Sequence, residues 1–201
     1  PNVTEGYWNK PEKTEKAFTD DGWFRTGDIM EIKPDGYLKF HDRVKNLLVL
    51  STGKNVAPEP IEDKFATSEI VDQCMVIGDS RKFISALIVP DMEGIKKWAR
   101  RNGVNLPDER LPLAKKTICE TDETRQRIQE EIDAVNADLE SHETIKKYRL
   151  AYEEFTEEND MLTPTLKKKR RNILERYEDK VEEMYGDSDE GQEAQEVPVD
   201  D

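Results

Sequence analysis

The stretch from Gly22 to Glu62 constrains this chain more than any other part of it, and reads GWFRTGDIMEIKPDGYLKFHDRVKNLLVLSTGKNVAPEPIE. Lys33-Pro34-Asp35-Gly36 is a turn signal between Ile29–Ile32 and Tyr37–Phe40, so a strand hairpin is expected there. Leu47-Leu48-Val49-Leu50 is a short unbroken apolar run, suited to a buried strand. Pro58-Glu59-Pro60 then opens a helix over roughly 60–67, because a first helical turn has no use for the missing N–H. Two charged sites bracket the hairpin: Thr26-Gly27-Asp28 before it and Asp42-Arg43-Val44-Lys45 after it. A glycine-bearing loop, Ser51-Thr52-Gly53-Lys54-Asn55, follows directly. The combination suggests a nucleotide-handling site.

Downstream, the runs Ile70–Ile77 and Phe83–Val89 flank Gly78-Asp79-Ser80-Arg81 and predict a second hairpin. Asp91 stands where a helix cap belongs, ahead of Ile95, Trp98 and Ala99. Residues 102–112 read as a loop. A longer helix is expected over about 122–142, where Ile128, Ile132, Val135 and Leu139 form one stripe. Tyr148–Phe155 reads as a strand. A last helix over about 170–185 would bury Ile173, Leu174, Tyr177, Val181 and Met184. Residues 1–21 read as extended or loop. The expected fold is α+β: a small mixed or antiparallel sheet flanked by helices.

The apolar fraction, 35%, suffices for one modest core but not for two generous ones. Near Asp42–Lys45 a boundary is expected. Residues 1–42 would belong to a larger body, 43–185 would form a self-contained domain, and 186–201 an acidic disordered tail. Net charge is −14, which argues against a general nucleic-acid binder. Dense carboxylates fit a salt-adapted protein as well as an ordinary acidic one. Cys74 and Cys119 lie far apart and read as reduced thiols of a cytoplasmic protein. Two histidines are too few and too separated for a zinc site, and no run of eighteen apolar residues is present to span a membrane.

Residue chemistry alone leaves alternatives open. Asp28 on its turn can accept hydrogen bonds from vicinal hydroxyls, and Arg43 offers a planar donor fork for a sugar or phosphate. The plainer reading is a turn cap and a surface ion pair. Lys45, just before an apolar strand, holds a natural hinge position, or is an ordinary exposed lysine. Gly53 permits close backbone approach to a ligand or to a packed strand; its loop lacks the GxxxxGK[ST] spacing. Lys167-Lys168-Lys169-Arg170-Arg171 is the densest positive run. It reads as a solvated helix start paired to acids, a nucleic-acid patch, or a mobile loop lysine aimed at phosphate or carboxylate oxygens.

Four segments in order change this picture: GYWNKPEKT (6–14), DGWFRTGDI (21–29), DGYLKFHDRVKNLLVLSTGKNVAPEPIE (35–62) and LTPTLKKKRR (162–171). Together they resemble the end of acyl-CoA synthetases of the adenylate-forming superfamily. VNADLESHETIKKYRL (135–150) resembles the long-chain fatty acid branch most. Other branches usually carry Gly-Lys where this chain has Leu166-Lys167.

The resemblance implies two half-reactions. A fatty acid carboxylate attacks the α-phosphate of ATP, and the thiol of CoA then displaces AMP from the acyl-adenylate. It implies a large N-terminal domain and a small C-terminal domain that swings between two poses. Asp28 would bind the ribose with Arg43 assisting, Lys45 would be the hinge, and Gly53 would line the pantetheine tunnel. Lys167 would be the adenylation lysine, with Lys169 the second choice. ATP/AMP and CoA would be substrates, and magnesium would be held by the absent N-terminal domain. Partners would be these small molecules and the chain's own N-terminal domain, with peripheral membrane contact compatible and no nucleic acid. The phosphate loop, adenine contact and acyl pocket are not found in this chain, so it would form no acyl-CoA alone. The rivals are a ligase for another carboxylic acid or a carrier protein, and a non-catalytic module with the same fold.

Overall fold

The computed structural model describes residues 4–107 and 114–186; the segment expected as an acidic tail lies, beyond Gly186, outside the described residues. The chain divides into two compact units between Leu47 and Leu48.

The first unit holds helix α1 (Pro11–Ala17) and the hairpin β1 (Asp28–Ile32) and β2 (Leu38–Arg43). Helix α1 falls where extended chain was expected; Pro11 at its first position and Glu12 in its first turn are ordinary helix-start residues. The hairpin forms as its turn signal implies, with Gly36 N–H donating to Lys33 O at 2.8 Å. No hydrophobic residue described in this unit is buried. Cross-strand pairing sets Met30 against Phe40 and Ile32 against Leu38, and all four are exposed. Residues two apart on a strand share a face, so these four make one uncovered apolar surface.

The second unit contains the core. Strands β3 (Leu48–Val49) and β4 (Asn55–Val56) form a short ribbon, followed by α2 (Pro58–Asp63). The apolar run 47–50 is therefore not one fully buried strand: Leu48 and Leu50 point inward while Val49 is exposed. The main sheet runs β5 (Val71–Ile77), β6 (Ile84–Pro90), β7 (Ile145–Leu150), antiparallel in the first pair and parallel in the second. A parallel pair needs a crossover, supplied by α3 (Met92–Asn102), α4 (Ala114–Cys119) and α5 (Asp122–Asn136). The carboxylate of Asp91 caps α3 as expected, accepting from Glu93 and Gly94 N–H at 2.9 and 3.0 Å. A Cβ on Gly94 would meet Glu69 O at 1.5 Å, so only glycine lets α3 start so close to that backbone.

Both faces of the sheet are covered, and the central strand β6 is buried at every position. Cys74, Val76, Ala86 and Ile88 pack with Ile61, Ile95, Ile128 and Ile132. Their neighbours Met75, Ile77, Leu87 and Val89 pack on the opposite face against Ile173, Val181 and Met184. The period of two thus builds two cores from one strand pair.

Further elements differ from expectation. Helix α5 stops at Asn136, whose side-chain amide pairs both ways with the backbone of Ile145 (2.8 and 3.0 Å) and starts β7 instead. The strand expected over 148–155 ends at Leu150, and Phe155 is held outside it by the side chain of Gln73. The single last helix is two, α6 (Arg170–Arg176) and α7 (Glu178–Gly186), broken at Tyr177. There Tyr177 turns its ring edge-on to Phe155, and Leu174 is left exposed rather than buried. Helix α4 was not foreseen.

Candidate active site

Asp28 and Arg43, fifteen residues apart in sequence, are direct cross-strand partners in the first hairpin. Arg43 Nε lies 3.1 Å from Asp28 Oδ1, yet that buried oxygen receives no aligned hydrogen bond. A carboxylate oxygen beside a cation but without a donor keeps unused acceptor capacity. Gly27 precedes it at φ +75°, a left-handed turn position, and Thr26 Oγ1 accepts from Asp28 N–H at 3.1 Å.

Lys45 occupies a short 3₁₀ turn, Val44–Asn46, immediately before the division between the units. Its side chain is exposed and makes no polar contact among the described residues. Asp42 spans the turn from below: Oδ1 accepts from Arg43 N–H (2.6 Å) and Asn46 Nδ2 (3.0 Å), and the side chain is fully buried. The sequence reading gave Asp42 no role; an acid inside a hydrophilic run carries no sign that it will be buried.

Gly53 sits at the tip of the β3–β4 ribbon at φ +79°, with its N–H donating to Leu50 O at 2.8 Å. Nothing lies within 4 Å of where a Cβ would stand. The packed-strand reading of Gly53 is thereby corrected. The glycine serves the turn and leaves open space above it.

Lys167 lies on a miniature hairpin. Leu162 bridges Lys168, and Leu166 N–H closes a turn onto Thr163 O at 2.8 Å with Pro164 inside it. Thr163 Oγ1 accepts from Lys167 N–H at 3.0 Å. Leu166 has φ +59°, the left-handed region that favours glycine. A glycine would suit this place for that physical reason. Replacing Leu166 by glycine should remove about 1–2 kcal/mol of strain against roughly 0.5–1 kcal/mol of added chain entropy. Leu166→Gly is expected to raise the urea midpoint slightly; a clear fall would contradict the strain account.

The basic run separates into distinct fates. Lys168 Nζ donates to Glu62 at 2.6 Å, Lys169 pairs with Asp160, and Arg170 reaches both Glu62 (2.5 Å) and Val76 O (2.8 Å). Arg171 pairs with Glu175 at 2.8 Å on the surface of α6. Lys167 alone in this run keeps an exposed ammonium with no partner among the described residues. Sequence reasoning missed Glu62, which is buried on α2; the one usable signal was a cluster of cations that had to be neutralised somewhere.

Other candidate groups are chemically quiet. Burial pushes the Cys74 thiol far up and the Cys119 thiol up to about 11, so neither is a thiolate at neutral pH. Among the described residues no group of three or more His, Cys, Asp or Glu could hold a metal ion.

The chain matches the AMP-binding enzyme C-terminal domain family over residues 45–106 and 109–189. It belongs to that family. As a member of this AMP-binding C-terminal family, it is 36% identical over 187 residues to the long-chain-fatty-acid–CoA ligase FadD15 of Mycobacterium tuberculosis, covering 91% of this chain and 30% of the relative. It is 37% identical over 188 residues to long-chain-fatty-acid–CoA ligase 1 of Cavia porcellus, covering 92% and 26%. Among solved structures, the adenylation domain of a carboxylate reductase from Mycobacterium chelonae superposes with a TM-score of 0.67 at 30% identity, covering 90% of this chain and 26% of that one. The A domain of a carboxylic acid reductase from Segniliparus rugosus, solved with AMP and a co-purified carboxylic acid, gives 0.68 at 27% identity, covering 91% and 26%. The chain thus spans under a third of the relatives it matches. Its α+β architecture and its place in the adenylate-forming superfamily agree with the resemblance read from the motifs.

Proposed function

We propose that this chain is the mobile C-terminal portion of an ATP-dependent long-chain fatty acid–CoA ligase. The observation that carries the reading is Lys167: an uncommitted ammonium, among the described residues, beside the turn of a pinned hairpin, followed by two lysines that are both neutralised. In the first half-reaction Lys167 sits between the attacking fatty acid carboxylate and the α-phosphate, holding two anions together as the new P–O bond forms and pyrophosphate leaves. Asp28 accepts from the ribose hydroxyls and Arg43 supports it. In the second, the domain rotates about Lys45 and the Gly53 loop takes the place of Lys167. The open space over Gly53 then admits pantetheine, whose thiol attacks the acyl carbonyl and expels AMP.

Long-chain substrates are favoured because the relatives named as ligases carry that specificity in their names. The uncovered apolar face of Met30, Ile32, Leu38 and Phe40 supports a larger N-terminal body that covers it, with ATP, magnesium and the acyl pocket held there. The chain alone forms no acyl-CoA. No described helix is long and apolar enough to cross a membrane. Two buried free thiols fit a reducing compartment such as the cytoplasm.

The hinge is tested by Lys45→Pro in the full-length ligase. Proline fixes its own φ and pushes Val44 away from the helical region, so the two poses cannot remain equally accessible. One half-reaction should slow by about tenfold or more while the other changes little. Equal slowing of both, or of neither, would remove Lys45 from this role.

A further inference from the structure

Glu62 is a heavily committed acid. Its side chain is 5% exposed, and its two oxygens gather three donors from three segments. Oε1 accepts from Val76 N–H on β5 at 2.8 Å and from Arg170 at 2.5 Å; Oε2 accepts from Lys168 at 2.6 Å. Arg170 closes the figure by donating to Val76 O at 2.8 Å. A buried carboxylate with charge-assisted bonds on both oxygens is rigid, since releasing any partner leaves an uncompensated charge in a dry place.

The arrangement has a consequence for Lys167. The Lys168 main chain pairs with Leu162, and Lys169 N–H donates to Met161 O at 2.8 Å. These bonds fix the stem of the small hairpin to itself. Glu62 fixes it to α2 and to the sheet, through the residue directly after Lys167 and the one three beyond it. The lysine side chain is long and flexible, so the place it can reach is set by where its Cα is held. We propose that Glu62, acting through Lys168 and Arg170, is a positioning residue for the adenylation half-reaction. This rests on the function proposed above. Glu62 does not touch substrate. It anchors the loop that presents the ammonium, and it neutralises Lys168 so that a second mobile cation does not compete beside Lys167.

The test uses the full-length ligase and reads the halves separately: pyrophosphate release with fatty acid and ATP, and acyl-CoA formation from synthetic acyl-adenylate and CoA. Lys168→Met is the gentler variant, because Glu62 keeps Arg170 and Val76. It should slow pyrophosphate release by roughly tenfold or more, as loss of exact placement does, and leave thioester formation within about twofold. Glu62→Gln should show the same split with a lowered unfolding midpoint, since two cations lose their counter-charge. Combining Glu62→Gln with Lys168→Met should recover part of that midpoint without recovering pyrophosphate release. A purely structural Glu62 would move stability and both half-reactions together. Pyrophosphate release unchanged in Lys168→Met, or equal losses in both halves, overturns the positioning role. A parent enzyme that releases no pyrophosphate with any fatty acid overturns the ligase reading beneath it, a distinct result from parity between halves.

Discussion

Lys167→Ala in the full-length ligase is expected to lower pyrophosphate release by about 10²–10³, roughly 3–4 kcal/mol of barrier. The magnitude follows from the chemistry of the step. A carboxylate and a polyphosphate both carry negative charge, and bringing them within bonding distance in a site that excludes water is costly without a cation between them. Lys167 is exposed and has no partner among the described residues, so it brings its charge without first breaking an ion pair there. Lys169 would have to leave Asp160 to substitute, and Lys168 would have to leave a buried Glu62. Lys169→Ala should accordingly cost far less than Lys167→Ala, and the reverse order would move the assignment to the second choice.

The largest effect on stability is expected at Phe155. It is 1% exposed, packs edge-on to Tyr177 with ring centres 6.3 Å apart, and lies outside any strand. Its backbone is satisfied instead by Gln73, which accepts from its N–H at 2.7 Å and donates to its O at 3.0 Å. Because that backbone clamp survives truncation, the chain cannot easily collapse into the space the ring vacates. Phe155→Ala should therefore destabilise by about 3–5 kcal/mol, a large share of the roughly 5–15 kcal/mol that holds a domain folded. Urea unfolding followed by far-UV circular dichroism measures it. A loss below about 1 kcal/mol would mean the ring contributes little to the core beneath α6 and α7.

Much of this molecule was legible in the sequence, for identifiable reasons. Both hairpins announced themselves through Pro-Asp-Gly and Gly-Asp-Ser turns, and the α3 cap through Asp91, because turn and cap chemistry is local. The stripe Ile128, Ile132, Val135 is buried as its spacing implies. Several of the misses depend on partners distant in sequence. Asn136 ends a helix because Ile145 needs its amide, and Tyr177 breaks one where its ring meets Phe155. Glu62 and Asp42 became buried acids only once the fold had brought donors to them. At the site, the motifs named Asp28, Arg43, Lys45, Gly53 and Lys167. Spacing could not tell three adjacent lysines apart; their different partners are a property of the folded hairpin.

The central claim is that Lys167 serves one half-reaction and has left the site in the other. The most direct measurement supplies purified full-length Lys167→Ala ligase with synthetic acyl-adenylate and CoA, and follows acyl-CoA formation in a single turnover. The rate should match the unaltered enzyme within about twofold, although pyrophosphate release from fatty acid and ATP is crippled. A thioester rate that falls as far as the adenylation rate would contradict the account, because Lys167 would then be needed in both poses.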